Sequence, residues 1–172
     1  LPKVSVPNCS EAAILPTVKL MVVLSLIASP FGDISAGAAD TNPGTEARPF
    51  KTIQKAADIV NAGDTVYIKA ATYPRPSGRS RVVEMQRGGS SGAPVTLQAF
   101  GDGEVILDNE GGGDWVVYVN ARYRQVDSVV LRGLTARGGV SGGLFIRNSS
   151  YTLVDHCKSI DNGGIGIYID WG

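Results

Sequence analysis

Asp155, His156, Lys158 and Asp161 fall within seven consecutive residues, the mixture of carboxylate, imidazole and amine on which general acid–base chemistry draws. Asp108, Glu110 and Asp114 crowd a glycine-rich stretch and carry the hard oxygen donors that calcium takes, without the regular spacing of a dedicated calcium loop. Phe145 and Tyr168 occupy equivalent places in a repeated segment, and two outward aromatics in neighbouring places would offer a platform to a sugar ring or simply stabilise each other as a cross-strand pair. Trp115 and Trp171 are aromatics of the same kind, less firmly placed. For the first two groups a structural role is favoured. His156 is the only histidine, too few imidazoles for a histidine-based metal set. Asp161 lies in a turn rich in Asn and Gly, which favours local hydrogen bonding over catalysis.

What positions these residues is a repeat. Residues 128–172 read nearly the same twice at an offset of 23. Val130 falls on Leu153, Leu131 on Val154, Leu134 on Cys157, Ala136 on Ser159, and Gly143-Leu144-Phe145-Ile146 on Gly166-Ile167-Tyr168-Ile169. A fixed period with short β-rich runs between Gly, Asn and Asp is the mark of a stacked solenoid, in which no coil buries its apolar face until another lies on it. Leucine-rich repeats have similar periods, but neither copy carries their set leucines and closing Asn. The offset also lays Arg132 over Asp155 and Arg147 over Asp170. Opposite charges at stacked positions support the register that the aliphatics choose independently. The expectation is that Leu131, Leu134, Leu144, Ile146, Val154, Cys157, Ile167 and Ile169 are buried, and that Arg132, Asp155, Phe145 and Tyr168 point outward.

The fold class that follows is all-β, a right-handed parallel β-helix solenoid with a short N-terminal capping helix. Phe50, Ile53, Ala56, Ala57 and Val60 recur at helical spacing and predict a helix over residues 52–60, with Ile53 and Ala57 against the first coil. Strands are expected near residues 65–69, 81–85, 95–99, 105–108 and 115–119.

Sixteen Lys and Arg balance sixteen Asp and Glu, so no basic stripe exists to hold nucleic acid. The 22 glycines suit the tight corners of a coil. Cys157 sits where the other repeat has Leu134, the place of a small buried hydrophobe, and with Cys9 the only other cysteine no disulfide framework follows. Lys19 precedes an apolar run over residues 20–28, and Ala36-Gly37-Ala38 fits a small-x-small cleavage pattern, which reads as a secretory signal too short for a standard membrane span. Residues 1–38 are therefore expected to be an upstream stretch and signal, and 39–172 the N-terminal part of a solenoid truncated at its C-terminal end. Two alternatives stay open. The apolar run would also serve as a buried strand or helix, and residues 33–40 as a first strand if cleavage falls near Ala28. Asn148-Ser149-Ser150 has the form of a glycosylation acceptor.

Thr41-Asn42-Pro43-Gly44-Thr45, Pro49-Phe50-Lys51-Thr52-Ile53-Gln54-Lys55-Ala56, Gly63-Asp64-Thr65-Val66-Tyr67-Ile68, Ala71-Thr72-Tyr73 and Gly92-Ala93-Pro94-Val95-Thr96-Leu97 together resemble the opening of secreted right-handed parallel β-helix proteins around the family-nine pectate lyases. The resemblance implies an extracellular or cell-surface protein, monomeric when full length, that acts on an acidic polysaccharide. In such lyases a base removes the proton α to a uronate carboxylate while clustered aspartates hold calcium. Asn162-Gly163-Gly164-Ile165-Gly166-Ile167-Tyr168 looks like the family's calcium segment, but Gly164, Ile165 and Tyr168 stand in place of its acids. Calcium is thus expected only in the full-length protein, with no metal and no identifiable catalytic residue here, and Phe145 and Tyr168 are the candidate substrate contacts. A non-catalytic surface or adhesion β-helix, or a β-helix glycoside hydrolase, are the alternatives.

Overall fold

The structure is a computed structural model that describes residues 20–23, 37–120 and 125–170. Its elements run β1 (Leu20–Val23), α1 (Ile53–Ile59), β2 (Thr65–Ile68), β3 (Ala71–Pro74), β4 (Val83–Met85), β5 (Val95–Ala99), β6 (Val105–Val119), β7 (Val129–Arg132), β8 (Leu134–Arg147), β9 (Leu153–Asp155), β10 (Lys158–Ile160) and β11 (Ile165–Asp170). Every pairing between them is parallel. Four coils stack with three faces. The first face is β2, β5, β7 and β9, with β1 at its edge. The second is β3, the start of β6, the start of β8, and β10; the third is β4, the end of β6, the end of β8, and β11. Where two separate strands were expected over residues 105–119, one bent strand covers two faces, with register shifts at its glycine-rich corner.

The offset of 23 is the register of the last two coils: Leu131 pairs with Val154, Ala136 with Ser159, Leu144 with Ile167 and Phe145 with Tyr168. Earlier coils are longer, so Val83 stacks on Val117, 34 positions on, and Val117 on Leu144 after 27. The difference lies in the connections and leaves the alternation of faces intact. Inward aliphatics from every face, among them Val66, Leu97, Leu107, Val117, Leu131, Leu144 and Ile146, form one buried core.

The last coil departs from expectation. Ile167 and Ile169 occupy core-facing places but are 43% and 52% exposed, while Val154 and Cys157 are only partly buried. Burial of a coil needs a neighbour on both sides, and among the described residues none lies beyond this one.

Corners repeat as faithfully as faces. Ser128 and Tyr151, Gly133 and His156, and Gly138 and Asp161 all have positive φ, each pair 23 apart. A left-handed residue is thus required at equivalent corners, and where glycine is absent the chain bears the steric cost. His156 is such a corner.

At the other end, α1 forms as its apolar spacing predicts, with Ile53, Gln54, Ala56 and Ala57 buried. Its start is set by hydrogen bonds. Thr52 caps it by accepting from Lys55 N, and the Asp40 carboxylate accepts from Lys51 N, Thr52 N and Thr52 Oγ1 at 3.0, 2.8 and 2.9 Å. Gly44 lies under the ring of buried Phe50, where a Cβ would come within 2.2 Å of a ring carbon, so the Asn-Pro-Gly-Thr turn and the phenylalanine fit as a unit. A buried glutamine completes the cap: Gln54 Nε2 donates to Glu84 O and Gln54 Oε1 accepts from Glu84 N, at 3.0 and 2.8 Å. In a parallel strand both backbone groups of one residue point the same way, and those of Glu84 point to the free edge of β4. The amide side chain of Gln54 therefore stands in for the missing strand.

Residues 33–36, part of the alternative first strand, lie outside the described residues, and residues 37–40 are turn and loop. Leu20–Val23, inside the run read as a signal, pairs in parallel with β2.

Two stability measurements follow. Leu144→Ala removes a side chain 2% exposed and is expected to cost about 2–5 kcal/mol in urea unfolding, whereas Ile169→Ala at the open end should cost under about 1 kcal/mol; equal losses would contradict the exposed last coil. Gln54→Ala leaves the Glu84 backbone groups without partners and is expected to cost about 1–3 kcal/mol by the same measurement, with a loss below about 0.5 counting against the two Gln54–Glu84 hydrogen bonds.

Candidate functional site

Outward positions of the third face are in register from coil to coil: Glu84 pairs with Tyr118, Tyr118 with Phe145, and Phe145 with Tyr168. The spacing of paired β-strands brings three such rings within stacking distance of one another. Tyr118 and Phe145 stack at 4.6 Å with their planes 4° apart, and Phe145 and Tyr168 at 5.1 Å and 6°. Both expected substrate contacts thus lie outward and together. Both faces of Phe145 are taken up by its neighbours, so what it offers to solvent is an edge.

Trp115 is set differently. Its indole is tilted 51° to Phe145 and 47° to Tyr168, with centroids 5.0 and 6.1 Å away, so it leans across the column instead of joining it. Gly142 makes this possible: it is the residue paired with Trp115, and a Cβ there would come within 2.4 Å of the indole. Arg81 closes the other end of the column with its guanidinium 3.7 Å from the Tyr118 ring centroid. Tyr118 and Arg81 are members the repeat could not reveal, because the coil joining Tyr118 to Phe145 is 27 residues long rather than 23, and the long loops of the first coil hide Arg81 altogether.

Among the described residues, three ion pairs lie along this face. Arg81 Nη1 donates to Glu84 Oε2 at 3.1 Å and Nη2 to Asp114 Oδ2 at 3.3 Å. Arg147 meets Asp170 at 3.1 Å, as the offset of 23 requires.

The two acid clusters read from the sequence are taken apart by the fold. Asp155 and His156 sit at the corner between the first and second faces, where Asp155 Oδ2 accepts from Arg132 Nε at 2.7 Å and its other oxygen meets His156 Nδ1. Lys158 lies on the second face against Glu104, 3.1 Å away, and Asp161 occupies the next corner. Asp108 pairs with Arg137 at 2.8 Å and Asp114 with Arg81, while Glu110 is an exposed left-handed corner. Among the described residues no three His, Cys, Asp or Glu side chains gather as a metal site. Residues 162–168 carry no carboxylate. Asn162 carries the one side-chain amide there, and it is spent on Gly139 N, Ala136 O and Ser159 Oγ. Cys157 is partly buried, which pushes its thiol up, with its Sγ 3.4 Å from Leu131 O. Asn148 is exposed at a corner of positive φ.

The hydrogen bond from Arg132, with a smaller contribution from His156, holds the Asp155 carboxyl below the usual carboxylate range. A depressed pKa stabilises the fold at neutral pH, and that contribution disappears as pH falls through the depressed value. Arg132→Gln should move the Asp155 titration upward when followed by side-chain NMR; an unmoved titration would remove the pairing as its cause.

The Pel9A-like, right handed beta helix region, as a protein family, matches residues 34–172. Pectate lyase PEL9 of Emericella nidulans is 32% identical over 77 residues, which are 45% of this chain and 18% of that protein. YwoF of Bacillus subtilis, an uncharacterized protein, is 29% identical over 77 residues, 45% of this chain and 15% of its own length. The chain thus spans less than a fifth of these relatives. Among solved structures, a rhamnogalacturonan lyase superposes with a TM-score of 0.68 at 23% identity, over 88% of this chain and 38% of its own, which establishes the shared fold.

Proposed function

The chain belongs to the Pel9A-like, right-handed β-helix family, and from that premise we propose that the whole protein is an extracellular lyase of a uronate-containing polysaccharide. The reaction is β-elimination. A basic side chain takes the proton α to the uronate carboxylate, the electron pair released forms the carbon–carbon double bond, and the glycosidic oxygen departs with a proton from an acid. The match over residues 34–172 carries this reading, and the kinship with a pectate lyase supports its substrate class. No helix among the described residues is long and apolar enough to cross a membrane.

The part this chain plays is scaffold and sugar contact. Trp115, Phe145 and Tyr168 form the aromatic face against which a polysaccharide lies. In this reading the base that takes the proton, and the calcium that the resemblance implies, belong to the whole protein outside residues 37–170, and the ion pairs that engage Asp155, Asp108 and Lys158 support it.

The test follows unsaturated uronate by its ultraviolet absorbance, with polygalacturonate and with alginate, in calcium and then in chelator. The 172-residue chain is expected to give no product and the whole protein to give product. Calcium-dependent product from the 172-residue chain would overturn the placement of the chemistry. Absence of product from the whole protein on every uronate polymer would overturn the lyase reading in favour of a non-catalytic adhesion module.

A further inference from the structure

We propose that Arg81 is the positioning residue of the aromatic face, holding Trp115 and Tyr118 in the setting in which that face meets a polysaccharide; this rests on the reading that the face contacts sugar. The need for such a residue lies in the strand that carries the tryptophan.

Asp114 and Trp115 follow three successive glycines, Gly111, Gly112 and Gly113, and the pairing of β6 with β8 shifts register on both sides of Gly113. Glycine leaves a backbone more conformational freedom than any other residue, and three in a row have no side chain with which to pack against a neighbouring coil. The segment entering the third face therefore takes its position from contacts beyond itself. Trp115 O accepts from the buried Asn109 Nδ2 at 3.2 Å. Ser80 O accepts from Asp114 N at 2.8 Å, and next to it Arg81 Nη2 donates to Asp114 Oδ2 at 3.3 Å. Ser80 and Arg81 thus grip Asp114 by backbone and by side chain, directly before the indole.

Arg81 can serve as a fixed reference because it is itself held. Nη1 donates to Glu84 Oε2 at 3.1 Å, the guanidinium carbon lies 3.7 Å from the centroid of the Tyr118 ring, and the side chain is only 21% exposed. A planar fork reaches a carboxylate of one coil, a carboxylate of the next and the face of a ring at once, whereas an ammonium is a point charge and cannot satisfy them together. From Tyr118 the order passes through the stacked rings of Phe145 and Tyr168, against which Trp115 leans with centroids 5.0 and 6.1 Å away. The indole is thus set twice, through Asp114 at its backbone and through the column at its ring. A contact surface fixed before its ligand arrives binds more tightly, because less ordering remains to be done on association.

The test compares Arg81→Lys with its parent, both carrying Trp171→Phe so that Trp115 is the remaining tryptophan. Indole fluorescence and near-ultraviolet circular dichroism are recorded without ligand, and binding of polygalacturonate and of a neutral β-1,4-galactan is followed by calorimetry. Arg81→Lys keeps the charge but not the fork. It is expected to weaken the dichroism of the indole and to lower affinity about tenfold for whichever polymer the parent binds, the scale of a desolvated cation–π contact. Asp114→Asn loosens the same grip from its other partner and should reproduce both changes in smaller measure. In Arg81→Ala, free guanidinium ion well below denaturing concentration should restore part of the indole signal, which a folding defect would not allow. Arg132→Gln breaks an ion pair on the first face and should leave signal and affinity unchanged. Unchanged affinity in Arg81→Lys, or lowered affinity with an unchanged indole signal, overturns the positioning role and leaves the sugar reading standing. A parent that binds neither polymer overturns the sugar reading, and this role with it.

Discussion

Each coil of this protein buries its inward side chains only because another coil lies against it at the spacing of paired β-strands. That single constraint explains features that otherwise look unrelated. It places Leu144 beneath Ile167 and Arg147 beside Asp170. Between the last two coils it returns left-handed corners at an offset of 23, even where the residue is Tyr151, His156 or Asp161 rather than glycine. It also forces aromatic rings at equivalent outward positions into a parallel column, since strand spacing and ring-stacking distance nearly coincide.

A stack must also begin. At the start the free edges are answered by different means. Leu20–Val23 pairs with β2, and Gln54 supplies one amide to the edge of β4. The helix is thereby fastened through polar contacts as well as through Ile53, Ala56 and Ala57, and Asp40 fixes where it starts. In the last coil among the described residues, the core-facing Ile167 and Ile169 have no following coil against them. Their exposure is a property of position, because the same residue types one coil earlier are buried.

Polar chemistry is dispersed around the coils by the same geometry. Residues close in sequence, such as Asp155, Lys158 and Asp161, pass around a corner and end on different faces, each with its own partner or turn. Residues far apart in sequence, such as Arg81, Tyr118 and Tyr168, come to lie in one column. In a solenoid, a functional surface is built along the axis and not along the chain.

The sequence alone determined whatever depends on a constant period. The parallel β-helix, the register of the last two coils, the Arg132–Asp155 and Arg147–Asp170 pairs, the outward setting of Phe145 and Tyr168, and the capping helix were all legible, because a repeat of 23 and helical spacing are local regularities that side-chain type reveals. The tertiary structure alone decided what depends on coils of unequal length and on neighbours across the stack. Tyr118 and Arg81 join the aromatic column through loops of other lengths, Gly142 opens the space into which Trp115 leans, and Gln54 reaches a backbone edge 30 residues away. Burial of the last coil could not be read from its aliphatic residues either, because hydrophobicity states which side faces inward, while only the presence of a neighbour decides whether that side meets water.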